Sequence, residues 1–120
     1  MPKPTEIKLH QLSRILEVHF DDGSQFHLSC EYLRVFSPSA EVRGHGAGQE
    51  TLQVGKEDVT IIAIEPVGNY AVRVIFSDGH STGLYSWDVL YQLGVNQQSN
   101  WQRYLQRLAE VGYQRKVHPQ

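Results

Sequence analysis

"DVTIIAIEPVGNYAVRVIFSDGHSTGLYSWDVLYQLG", residues 58–94, decides the fold. Two apolar, β-branched runs flank Pro66-Val67-Gly68-Asn69, where Pro and Gly favour a turn. The second run ends at Asp78-Gly79, a hairpin signal because glycine accepts positive φ at no steric cost. Ser86 then stands where a helix N-cap is needed. The order is strand, turn, strand, Asp-Gly turn, short strand, helix. Gly83 relieves crowding or allows a bulge. Tyr85 and Trp87 are large anchors at the corner where hairpin meets helix, and Trp87 is expected to be substantially buried. A structural role for these residues outweighs a ligand role for His80 supported by Tyr85.

Upstream, "VHFDDGSQFHLSCEYL" from Val18 echoes "VIFSDGHSTGLYSWDVL" from Val74 without gaps. Each reads as strand, Asp-Gly turn, strand, helix. "EIKLHQ" and "RILEVHF" read as strands around a turn at Gln11–Ser13. "SCEYLRVF" reads as a short helix capped by Ser29, with Leu28, Tyr32, Leu33 and Phe36 on one face. Residues 37–57 form a polar, Gly-rich connection with a short strand expected near Thr51–Val54. "SNWQRYLQRLAEVG" is the last helix. Ser99 with Gln102 matches a capping box, Trp101, Tyr104, Leu105, Leu108 and Val111 make the stripe, and Gly112 ends it. The fold class is α+β: a small antiparallel sheet of hairpins with two or three helices, and a possible duplicated ββα unit.

With 120 residues the chain fits one domain, 1–120, with a core over about 7–112 and a frayed tail at 113–120. Composition is that of a globular protein, 40% hydrophobic and 20% charged. A net charge of −2 gives no general pull toward nucleic acid or an anionic membrane. The last twenty residues are locally basic, with Arg103, Arg107, Arg115 and Lys116 against Glu110, which reads as a solvated end. No apolar run approaches the roughly 18 residues of a membrane span. The start, "MPKPTEIKLHQL", has no long apolar segment of the secretory kind, so a cytoplasmic protein is expected.

The candidate chemistry is sparse. One cysteine, Cys30, excludes an internal disulfide and a cysteine-rich metal site. Its neighbour His27 lacks a third orienting group, so a buried helix cysteine is favoured over a nucleophile. "HFD" at His19–Asp21 matches half of a non-haem iron triad, but the chain is too short for the eight-stranded roll that such a triad needs. A surface histidine and a turn aspartate are the better reading. "RGHGAG", Arg43–Gly48, offers backbone amides and the Arg43 and His45 side chains to an anion. It lacks the Gly-Lys-Ser/Thr of a phosphate loop, and a surface loop is favoured. The six histidines have no metal-ligand spacing. No cofactor and no enzymatic activity are expected.

"YLRVFSPSAEV", Tyr32–Val42, followed by "FSDGHSTGLYSWDVL", Phe76–Leu90, resembles the gamma-butyrobetaine hydroxylase-like N-terminal domain family, DUF971, in its stand-alone bacterial form. The resemblance covers roughly Ile7 to Leu93 and implies a small α+β domain. In eukaryotic members this domain precedes a 2-oxoglutarate-dependent oxygenase. Elsewhere it is fused to iron–sulfur carrier proteins. Neither fused domain is in this sequence, so neither activity carries over. Metal-binding members hold zinc with Cys-x-Cys-x-x-Cys and a later His. Laid on this chain, those positions are Ser37, Ser39, Val42 and His80, a degenerate site.

The resulting expectation is a non-enzymatic binding or adaptor domain for a protein partner. Its binding surface would hold Arg34, Arg43, His45, His80 and Tyr85. The alternatives are an accessory factor in iron or iron–sulfur handling and a small-anion-binding module. The sequence leaves the oligomeric state open.

Overall fold

The structure, a computed structural model, describes residues 2–44 and 50–116. Strands β1 (Pro4–His10), β2 (Ile15–Phe20) and β3 (Gln25–Ser29) are followed by helices α1 (Cys30–Val35) and α2 (Ala40–Arg43). Then come β4 (Ile61–Val67), β5 (Ala71–Phe76), β6 (Leu84–Ser86), α3 (Trp87–Val95) and α4 (Gln97–Glu110). The class is α+β, but the strands form two three-stranded antiparallel sheets, β1-β2-β3 and β4-β5-β6, instead of one. The described residues hold four helices, not two or three. The extra one is the single turn α2, which Ser39 caps by accepting a hydrogen bond from the Glu41 amide.

Each sheet alternates along its strands, so each buries one face. Leu16, Val18 and Leu28 from the first sheet meet Ile61, Val74 and Phe76 from the second in one core. Tyr32 and Leu33 of α1 and Leu90 of α3 close it. All six residues of α1 are buried, so this helix has no solvent face, and the single apolar face expected from its spacing understates its burial.

The two hairpin–helix units follow the same plan. In each turn a Phe amide bonds a carbonyl four residues on, Phe20 to Ser24 and Phe76 to His80, both at 2.9 Å. Gly23 and Gly79 supply φ of +89° and +91°. Ser29 and Ser86 cap the helices through the amides of Tyr32 and Val89. The Phe pair is 56 positions apart and the Ser pair 57. The second unit therefore has one extra residue between turn and cap, and the gapless match does not hold through to the helix.

Five local expectations change. Residues 51–54 form no strand. Their backbone bonds elsewhere: the Thr51 amide donates to Val42 O at 2.8 Å, and Gln53 O accepts from the Tyr104 hydroxyl at 2.7 Å. The Ser99 capping box does not form, because α4 begins at Gln97 and Ser99 Oγ donates to Asn96 O. In the stripe of α4, Tyr104 and Leu108 are buried, while Val111 is 62% exposed. Residues 113–116 are tied down rather than frayed. Tyr113 and the Lys116 amide bond the Glu57 carboxylate, and Arg115 pairs with Glu31 and stacks on Trp101. Trp87 is only partly buried, and its Nε1 donates to Asn69 O. Residues 45–49 and 117–120, with His45 and His118, lie outside the described residues.

Candidate functional site

The chain leaving α1 meets the second hairpin in a buried corner. Ser37 Oγ and His80 Nε2 lie 2.9 Å apart and are hydrogen-bonded. Ser37 Oγ also accepts from the Ser39 amide at 3.2 Å, and Ser39 Oγ bonds Thr82 Oγ1 at 2.6 Å. A Cβ on Gly83 would stand 2.5 Å from Ser37 Oγ, so the close approach needs glycine. The Tyr85 hydroxyl donates to Leu33 O at 2.6 Å, and burial holds that phenol well above its ordinary pKa. Val42 packs as a buried apolar side chain.

Three of the four positions that the family resemblance relates to zinc therefore share one hydrogen-bonded corner. They offer one imidazole nitrogen and two hydroxyls, while Val42 offers no donor atom. That set does not fit zinc, which takes four good N, S or carboxylate donors in a closed site. Among the described residues, no three His, Cys, Asp or Glu side chains are placed to hold a metal ion.

Beside this corner, Asp78 Oδ2 accepts from Arg34 Nε at 2.9 Å and from Lys56 Nζ at 2.7 Å. Its Oδ1 accepts from the His80 amide at 3.2 Å. Burial works against the Asp78 charge, but these donors outweigh it and hold the carboxyl at about 2. Burial first, and then the Arg34 charge, lowers the pKa of His80.

Of the residues expected to share a binding surface, Arg34, His80 and Tyr85 are interior and His45 lies outside the described residues. Arg34 and His80 are each 7% exposed and Tyr85 is 0% exposed. Arg34 is interior because α1 is enclosed by both sheets and α4. Arg43 is exposed. Arg34 is committed to Asp78, although its buried Nη1 has no hydrogen-bond partner among the described residues.

A surface feature with room for a ligand lies on the other side of α1. A cavity of about 510 Å³ opens between α1, α2, residues 50–53 and α4. Its apolar lining includes Val35, Phe36, Val42, Leu52 and Leu93. Arg43, Arg103 and Arg107 line it too, with Glu50 the one acid among the described lining residues. A second cavity of about 290 Å³ shares Phe36, Arg43, Leu93 and Asn100 with the first and continues toward Asp88 of α3. Together they make one groove, within the size range of ligand sites. Its walls are fixed by hydrogen bonds: Asn100 Nδ2 donates to the Tyr32 hydroxyl, which donates to Leu93 O at 2.6 Å. Arg103 and Arg107, which the sequence assigns to a solvated end, line this cavity instead. Their i,i+4 spacing on one helix was the available signal.

Pairing of the first three strands gathers side chains that the sequence scatters. On the outer face of the first sheet His10 and His19 bond the Glu17 carboxylate, and His27 Nε2 lies 3.8 Å from it. The hydrogen bonds from His19 and then His10 lower the Glu17 pKa to about 2. His19 thus partners Glu17, while Asp21 accepts from the Lys3 amide in the turn. Cys30 is buried, which raises its pKa, and the His27 side chain is 60% exposed on that outer face. The two do not form a reactive pair.

A family model described as gamma-butyrobetaine hydroxylase-like, N-terminal, matches residues 7–91. Two NMR solution structures resemble the chain over nearly its whole length. One is 53% identical, with 99% of this chain and 95% of that chain covered and a TM-score of 0.82. The other is 41% identical, with coverage of 100% and 94% and a TM-score of 0.84. A crystal structure of a DUF971-family protein of unknown function from Acidithiobacillus ferrooxidans ATCC 23270 is 39% identical. It covers 77% of this chain and 92% of its own, with a TM-score of 0.65. No curated protein matches the chain.

Proposed function

The chain belongs to the gamma-butyrobetaine hydroxylase-like N-terminal domain family, and on that premise we propose that it is a non-catalytic binding module for a protein partner, docking through the groove beside α4. One observation carries the reading: the groove is lined by apolar side chains, flanked by polar ones, and walled by hydrogen-bonded helices. An apolar centre with a polar rim is the anatomy of a protein-docking site. The Ser37–His80 corner supports the same reading from the other direction. Its polar groups are spent on one another and are buried, so they are unfit to meet a partner.

A photo-crosslinking residue placed at Gln92, on the groove, and separately at Gln25, on the outer face of the first sheet, tests this in the native host. The same partner should be captured from position 92 and not from position 25. Capture from position 25 alone overturns the groove as the docking face.

A further inference from the structure

The arginines of this chain divide into two groups. Arg14, Arg34, Arg73 and Arg115 each face a carboxylate, on Asp58, Asp78, Glu65 and Glu31 respectively. Arg43, Arg103 and Arg107 have no ion pair among the described residues, and these three line the groove. The protein neutralises its guanidinium groups everywhere except around this cavity. Arg103 Nη2 donates to Asn100 Oδ1 at 2.8 Å, a neutral acceptor that orients the side chain without cancelling its charge.

We propose that the groove takes an acidic peptide segment of the partner, seating an apolar side chain against Phe36 and Leu93 and placing carboxylates on the three arginines. This rests on the groove being the docking face, and adds what the partner must present there. The planar fork of arginine suits a carboxylate because two N–H groups can meet its two oxygens. Glu50 is the only acid among the described residues lining the larger cavity, so three positive charges face one negative there. The smaller cavity adds Asp88. The charge of the groove therefore changes along its length, from Arg103 and Arg107 at one end to Asp88 at the other. The partner's acidic residues belong at the α4 end, and a neutral or basic residue belongs near Asp88. An extended segment fits better than a compact ion, because the two cavities join through Phe36 and Arg43 into one elongated trough.

The test uses the full chain, ¹⁵N-labelled, and two blocked synthetic peptides: one of Glu and Leu, and the same peptide with every Glu replaced by Gln. The Glu peptide should shift the Arg103 and Arg107 side-chain Nε signals and the Asn100 amide, with affinity falling as salt rises. Arg103→Gln and Arg107→Gln should each weaken it roughly ten-fold, the loss of one charge-assisted contact. Arg73→Gln, on the second sheet, should change nothing in the groove. Equal binding of both peptides in the groove overturns the acidic-segment inference and leaves the docking face standing. A groove silent to both peptides also overturns it, and the crosslinking contrast then decides the docking face by itself.

Discussion

Ser37 and His80, 43 residues apart in sequence, are joined by a hydrogen bond of 2.9 Å in the interior. The bond ties the exit of α1 to the turn of the second hairpin. Because Ser37 Oγ also accepts from the Ser39 amide, its own proton is available to His80 Nε2. The other ring nitrogen of His80, Nδ1, faces Glu41 Oε2 at 3.5 Å. A buried, hydrogen-bonded histidine occupies the place where the family resemblance would put a metal-bound one.

Ser37→Ala removes a fully buried hydroxyl and strands both the imidazole nitrogen and the Ser39 amide. Leaving a buried polar group unpaired costs about 1–3 kcal/mol. The urea midpoint should fall accordingly with the slope unchanged. An unaltered midpoint would show that water or a rearranged neighbour replaces the hydroxyl at no cost.

Gly83→Ala should destabilise by about 1–3 kcal/mol through overpacking. The added Cβ would lie 2.5 Å from Ser37 Oγ and 3.3 Å from Pro38 Cδ. The two changes occupy the same space, so their costs should not add. The double variant Ser37→Ala, Gly83→Ala should be more stable than the sum of the singles predicts, and additive losses in the double-mutant cycle would place the strain elsewhere.

Stability should fall as pH drops below about 6.5, the ordinary histidine value from which His80 is lowered. A base whose folded pKa is depressed gives stability that is fully present above its unfolded pKa. That stability is lost as pH falls toward the folded value. Arg34 and Lys56 oppose the added charge, while Glu41 and Asp78 favour it. Glu17 and Asp78, both lowered to about 2, act in a separate window below their ordinary values of 4.5 and 3.8. His80→Gln should therefore flatten the stability profile just below about pH 6.5 and leave the acid limb in place. An unchanged slope in that interval would assign it to another group.

Much of the fold was legible because its signals are local. Asp22-Gly23, Asp78-Gly79, Ser29 and Ser86 act within a few residues, and each does in the structure what its type predicts. The failures come where a neighbour in space decides. Ser99 lost its capping role because Asn96 alone joins α3 to α4, which places Ser99 inside the helix. The tail is held by Glu31 and Glu57, far away in sequence. The split into two sheets left no local mark. The groove was least legible, since Phe36, Leu52, Leu93 and Arg107 come from four separate segments. The Glu17 cluster depended on strand register, which spacing along the chain does not show.

The purified protein should carry no stoichiometric zinc, because Ser37, Ser39 and Val42 stand where the family resemblance places thiolates. Chelation should leave the melting temperature unchanged. One equivalent of zinc by elemental analysis, lost together with stability on chelation, would contradict this. Ser37→Cys, Ser39→Cys and Val42→Cys together should create zinc-dependent stability, with His80 as the fourth ligand.

The most direct measurement of the central claim is an NMR titration of the labelled chain with the partner captured through position 92. The account predicts amide shifts at Leu52, Gln53, Leu93, Asn100 and Tyr104, with Ser37, His80 and Glu17 silent. Shifts centred on Glu17, His19 and His27, with the groove unchanged, would place recognition on the outer face of the first sheet and contradict the account.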